Sequence, residues 1–200
     1  MSKRLKEWDR QVPASVLAKQ QRLNARRRFL AACAGTAALP FVSAVPGHAI
    51  EKNATDWQAK EPWLTLAAVQ EHLFPSDGVA PGARQINATQ YLKNVIDHHD
   101  VEQSEKDFIQ SGVKWLNGLA KEQYAASFIE LNTSKKEKTL RKVAQSRAGE
   151  NWISTLLSYL IEALLTAPAY GGNPSGIGWK WLEHQAGFPQ PPANKVYYLL

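Results

Sequence analysis

The stretch Trp152-Ile153-Ser154-Thr155-Leu156-Leu157-Ser158-Tyr159-Leu160-Ile161-Glu162-Ala163-Leu164-Leu165 decides the fold. Ten of its fourteen residues are apolar, and Glu162 is its one charge. A helix that is apolar nearly all round lies at the centre of a bundle or presses on a partner. The stretch is too short to span a membrane. It therefore predicts a buried helix with other helices around it.

Working back toward the N-terminus, four more helical segments are expected. Pro62 opens the first, which carries Leu64, Ala67 and Ala68 and stops before Pro75. The second runs from about Asn87 to His98, with Tyr91, Leu92, Val95 and Ile96 on one face. The third starts near Ser104, with Asp107 as a capping-box partner, and carries Phe108, Val113, Trp115, Leu116 and Leu119 to about Glu122. The fourth, Lys135 to Ser146, is capped by Thr133 or Ser134 and turns Leu140 and Val143 inward. Its Lys135-Lys136-Glu137-Lys138 run reads as a solvated face. Asn151 is the expected start of the fifth. Ser76-Asp77-Gly78 and Pro81-Gly82-Ala83 mark a turn-rich loop. No run has strand periodicity. The expected fold is all-α, a small bundle of about five helices with an irregular Gly/Pro/aromatic-rich C-terminal segment.

That segment is Pro168-Ala169-Tyr170-Gly171-Gly172-Asn173-Pro174, then Gly176-Ile177-Gly178-Trp179-Lys180-Trp181-Leu182. Its glycines permit positive φ and close backbone approach. Asn173 tolerates the left-handed region and bonds neighbouring backbone. Trp179 and Trp181 diverge in either a strand or a helix, so one packs inward while the other faces out.

At the other end of the chain, Asn24-Ala25-Arg26-Arg27-Arg28-Phe29-Leu30 precedes a small-residue apolar run to Val45. Twin arginines followed by Phe-Leu form a twin-arginine export signature. Residues 1–25 read as a polar n-region, and Gly47-His48-Ala49 as a cleavage site, with processing after Ala49. The expected domains are a signal peptide over 1–49 and a single helical domain over 50–200. An uncleaved anchor is the alternative. Leu30-Ala31-Ala32-Cys33 also has the form of a lipoprotein box, but it leaves too short an apolar run before Cys33.

The signal changes the charge argument. The 200-residue chain carries +6, with 24 Lys and Arg against 18 Asp and Glu. Nine of the basic and two of the acidic residues fall within 1–49, leaving 15 against 16. The basic excess belongs to the signal, so no nucleic-acid partner is expected. The lone cysteine, Cys33, also falls there. The remainder has no disulfide framework, thiolate site or cysteine nucleophile.

The C-terminal segment carries a resemblance. With Glu71-His72-Leu73-Phe74-Pro75-Ser76-Asp77, Pro81-Gly82-Ala83-Arg84 and the twin-arginine signal, it resembles the small subunit, called subunit 3 or gamma, of gluconate 2-dehydrogenase complexes. The resemblance implies a heterotrimer with a periplasmic location. In it an FAD-dependent large subunit of the glucose-methanol-choline (GMC) class oxidises a sugar or polyol, and a cytochrome c subunit carrying haem c takes the electrons. The small subunit is then non-catalytic. It binds the large subunit, assists its maturation and supplies the export signal read by the twin-arginine translocase. This chain would itself hold no cofactor.

The residues expected to matter are Arg26, Arg27, Phe29 and Leu30 for export and Ala49 for cleavage. Tyr170, Gly171, Gly172, Asn173, Trp179 and Trp181 form either a rigid loop packed on the chain's own helices or a docking surface. Arg84 is a loop tether or an interface residue. Asp97, His98, His99 and Asp100 form the only metal-like cluster, but adjacent histidines near a helix end diverge and suit the helix terminus. Ser175 and His184 lack a nucleophile-elbow context. The 171–178 glycines lack the strand–turn–helix context of a dinucleotide site. No catalytic, cofactor or metal residue is assigned. Two rival functions remain: a free-standing periplasmic module stacking a ligand on exposed Trp and Tyr, and an independent enzyme.

Overall fold

The computed structural model describes residues 3–21, 56–97, 101–187 and 189–192. The export residues Arg26, Arg27, Phe29 and Leu30, the cleavage residue Ala49, Cys33, and the histidines His98 and His99 with Asp100 lie outside the described residues.

Eight α-helices occur among the described residues, and no strand. They are α1 (Lys3–Trp8), α2 (14–21), α3 (Trp63–Leu73), α4 (Ala88–Asp97), α5 (Gln103–Tyr124), α6 (Thr133–Val143), α7 (Arg147–Leu165) and α8 (Ile177–Trp181). The all-α expectation holds. The five expected helices are α3 to α7, and the structure adds α1, α2 and α8.

Helix α7 is central, as its apolar circumference requires. It packs on α1, α3, α4, α5 and α8. Trp152, Leu156 and Tyr159 face a main core with Phe108, Ile109 and Leu116 of α5 and Leu66 and Val69 of α3. Leu160, Ala163 and Leu164 turn to a smaller second core with Ala83, Ile86 and Ala88. Helix α7 thus joins the bundle to the loop-rich end.

The helix starts differ from expectation. Helix α7 begins five residues before Trp152, with Ser146 as N-cap accepting from Gly149 N at 3.0 Å. Asn151 is buried inside the helix, and its Nδ2 donates to the Arg147 carbonyl. Helix α6 is capped by Asn132, whose Oδ1 accepts from Lys135 N at 3.0 Å. Helix α5 follows Glu102 with no side-chain cap, so Ser104 and Asp107 form no box there. A complete capping box sits instead at Ser127 and Glu130, which open a single 3-10 turn. At α6 and α7 the residue that caps is the one whose backbone is extended just before the helix.

Residues 3–21 carry more than the polar character expected of them. Leu5, Trp8 and Val16 are buried in the main core. Trp8 is fully buried, stacked 6.1 Å from Trp115 and edge-on to Trp152 at 6.0 Å. Residues 3–21 thus carry a folded, packed element as well as their basic charge.

Candidate functional site

Two loops meet at the second core, and they hold the stretches that carry the family resemblance. The first joins α3 to α4. Asp77 Oδ1 accepts from the backbone N–H groups of Val79 (2.9 Å) and Ala80 (2.7 Å), which close a tight turn. These bonds, Ala80's first, hold the Asp77 carboxyl below its usual range. Gly82 lies against the first limb of the loop, where an added Cβ would fall 2.6 Å from Ser76 N. The loop is fastened to α3 by Ala83 N donating to the Phe74 carbonyl (2.8 Å) and Arg84 N donating to Glu71 Oε2 (3.0 Å). Arg84 is exposed, and the tether runs through its backbone N–H.

The second loop runs from Thr166 to α8 and is organised by Asn173. This residue is fully buried, with φ of 49°. Its Nδ2 donates to the Thr166 carbonyl at 3.0 Å, and its Oδ1 accepts from Gly178 N at 2.7 Å. Its backbone N–H donates to the Ile86 carbonyl at 2.9 Å. One side chain therefore joins the end of α7 to the start of α8, and one N–H joins both to the first loop.

The glycines answer to close approach. A Cβ on Gly178 would fall 2.2 Å from the Leu164 carbonyl oxygen, and one on Gly172 would fall 2.7 Å from that of Ala163. Gly171 has φ of +93°. Half-buried Tyr170 offers its carbonyl to Asn94 Nδ2 at 3.0 Å. Tyr170, Gly171, Gly172 and Asn173 pack on the chain's own helices.

The two tryptophans separate as expected. Both stand on α8. Trp179 is half-buried, and its indole N–H donates to the Leu165 carbonyl at 2.8 Å, satisfying an acceptor in the last turn of α7. Trp181 stays 37% exposed and meets Phe74 edge-on at 6.3 Å. Leu182, Leu165, Ile161 and Val79 are also exposed large apolar residues. Ile161 and Leu165 are one helical turn apart on α7, outside the arc that the two cores cover. The sequence held that signal: α7 is apolar over a wider arc than the bundle covers.

An open groove of about 460 Å³ borders α8, with Ser175, Trp179 and His184 in its lining. Ser175 and His184 share this groove, but among the described residues no hydrogen bond joins them, and both are exposed. His184 instead lies 6.5 Å from the Trp179 ring. Among the described residues no group of three metal-capable side chains assembles. Asp97 pairs with Lys93 one turn away. No helix among the described residues is long and apolar enough to cross a membrane.

Two polar pairings were not visible in the sequence. The Glu61 carboxylate accepts from Thr65 Oγ1 (2.6 Å) and serves the first turn of α3. His72 Nε2 meets Glu137 Oε2 at 2.7 Å, drawing part of the lysine-rich run on α6 onto α3.

No curated protein and no solved structure matches the chain. The family model for gluconate 2-dehydrogenase subunit 3 does match, over residues 60–187. That span holds both loops, both cores' loop-end residues and helices α3 to α8, and the chain belongs to the gluconate 2-dehydrogenase subunit 3 family.

Proposed function

We propose that this chain is the non-catalytic escort subunit of a periplasmic FAD-dependent sugar or polyol dehydrogenase. It binds the GMC-type large subunit and brings it to the twin-arginine translocase through Arg26 and Arg27. In the assembled complex a cytochrome c subunit takes the electrons.

One observation carries the reading: a rigid scaffold holds an apolar surface outward. Asn173, Gly172 and Gly178 fix α8 against α7. Trp181, Leu182, Leu165 and Ile161 remain exposed on that fixed frame. Burying a few such side chains supplies most of the affinity of a stable interface, because each loses little conformational freedom on docking.

The test is affinity capture of the chain from its host, with the eluate assayed for flavin absorbance and dye-linked dehydrogenase activity. A stoichiometric flavoprotein is expected, lost from the periplasm when Arg26-Arg27 is changed to Lys-Lys. A flavin-free monomer overturns the proposal. The open groove beside Trp179 favours a second reading, a small ligand stacked on the indole. A flavin-free monomer whose Trp179 fluorescence responds to sugars would establish that one instead.

A further inference from the structure

Residues 3–21 occupy the bundle as a ligand occupies a groove. Leu5, Trp8 and Val16 sit in the main core, with Trp8 between Phe108, Trp115 and Trp152. Polar contacts run the length of the segment. Asp9 Oδ1 accepts from Ala148 N at 2.7 Å, serving an orphan donor at the start of α7. Lys19 Nζ lies 3.2 Å from Glu105 Oε1 and 4.6 Å from the centre of the Tyr159 ring. Tyr159 in turn donates to the same Glu105 oxygen at 2.8 Å. Gln20 reaches Ser154, and Ser15 reaches Ser104.

These contacts need a completed bundle, because their partners come from both α5 and α7. Yet the segment lies outside the family span of 60–187 and is separated from it by residues 22–59. The groove belongs to the family domain; its occupant does not. The fit is also incomplete, since the Trp8 indole N–H is buried without an acceptor among the described residues. An unpaired buried donor weakens the contact that buries it.

We propose that residues 3–21 are an autoinhibitory plug: docked on α5 and α7 they hold the chain in a pre-export form, and they must leave the groove before the domain crosses the membrane. The plug rests on the twin-arginine reading and on the topology of insertion. A basic segment ahead of an apolar signal run stays on the cytoplasmic side during insertion. Residues 56–192 would lie across a hydrocarbon core of roughly 30 Å. The docked and translocated states exclude one another, so every contact made by Trp8, Asp9 and Lys19 opposes export.

A reversible lock tests this in the full chain. Ser15 Oγ and Ser104 Oγ are 3.3 Å apart, so Ser15→Cys with Ser104→Cys can form a disulfide across the contact. Cys33→Ser removes the only competing thiol. Transport is followed as protease protection in translocation-competent membrane vesicles, with circular dichroism showing that the locked chain is folded. The reduced chain is transported, the oxidised chain is transported about tenfold less, and reductant restores it. Trp8→Ala, without the lock, speeds transport. Equal transport of oxidised and reduced chains overturns the plug. The reduced chain with Arg26-Arg27 changed to Lys-Lys separates the two ideas. If that variant is transported equally well, the export reading fails and the plug falls with it.

Discussion

The indole of Trp152 lies against the bare Cα of Gly112, where α7 packs on α5. A Cβ at Gly112 would fall 2.1 Å from Trp152 Nε1. That nitrogen donates to the Ile109 carbonyl at 2.9 Å. The ring reaches a backbone oxygen of the neighbouring helix because residue 112 has no side chain.

Gly112→Ala should therefore destabilise the fold, against the usual trend. In a free helix the change gains about 1 kcal/mol from helix propensity. Here the methyl displaces a fully buried tryptophan, which costs about 1–3 kcal/mol in overpacking. The broken indole hydrogen bond adds about 1–3 kcal/mol as an unsatisfied buried donor. The net expectation is a loss of about 1–5 kcal/mol by urea denaturation. An unchanged or raised midpoint would show that α5 and α7 can separate freely.

Asn173 makes a second test, because its backbone and side-chain roles come apart. Asn173→Gly keeps the left-handed conformation but removes the bonds to Thr166 and Gly178. It should cost about 2–3 kcal/mol. Asn173→Ala loses the same bonds and also places a Cβ in the left-handed region, adding about 1 kcal/mol. Alanine must be the worse of the two. If the order is reversed, the side-chain bonds are not what holds α8 to α7.

At the exposed surface, Trp181→Ala and Leu165→Asp should separate binding from stability. Both residues are part-exposed, at 37% and 47%. Each change should move Tm by no more than about 4 °C. Capture of the flavoprotein should fall about tenfold or more if these residues lie at the centre of the interface. Undiminished capture by both variants would move the docking surface elsewhere on the molecule.

The bundle was legible because burial leaves a period in the sequence. Leu92 and Ile96 on α4, and Leu140 and Val143 on α6, are buried as their spacing requires. The N-terminal helices left the same mark, less visibly. Leu5, Trp8, Val12 and Val16 are spaced three and four apart, but basic residues surround them and Pro13 divides the run into α1 and α2. A polar export leader and a solvated amphipathic hairpin have the same composition. The end loops were half-legible. That Asn173 tolerates a positive φ follows from its chemistry; that it bonds Thr166 and Gly178 follows only from how α7 and α8 meet. The capping residues were misplaced because several acceptors precede each helix, and local composition does not rank them.

The contact between α3 and α6 responds to pH through Glu137. Glu137 Oε2 meets His72 Nε2 at 2.7 Å, and its Oε1 meets Arg141 Nε at 2.6 Å. The His72 bond, aided by Arg141 and opposed by partial burial, holds the Glu137 carboxyl below its ordinary 4.5. A carboxylate with a lowered folded value stabilises the fold fully above its unfolded value. That contribution is lost as pH falls through the folded value. Glu137→Gln should therefore lower stability at neutral pH and lose its effect in acid. The side chain is 42% exposed, so solvent screening limits the neutral-pH cost to about 0.5–1 kcal/mol. Urea midpoints of parent and variant, taken from neutral pH down to about pH 3, should converge below the ordinary carboxylate range. A gap that persists undiminished in acid would mean that Glu137 acts through packing, and that its charge contributes nothing to holding α6 on α3.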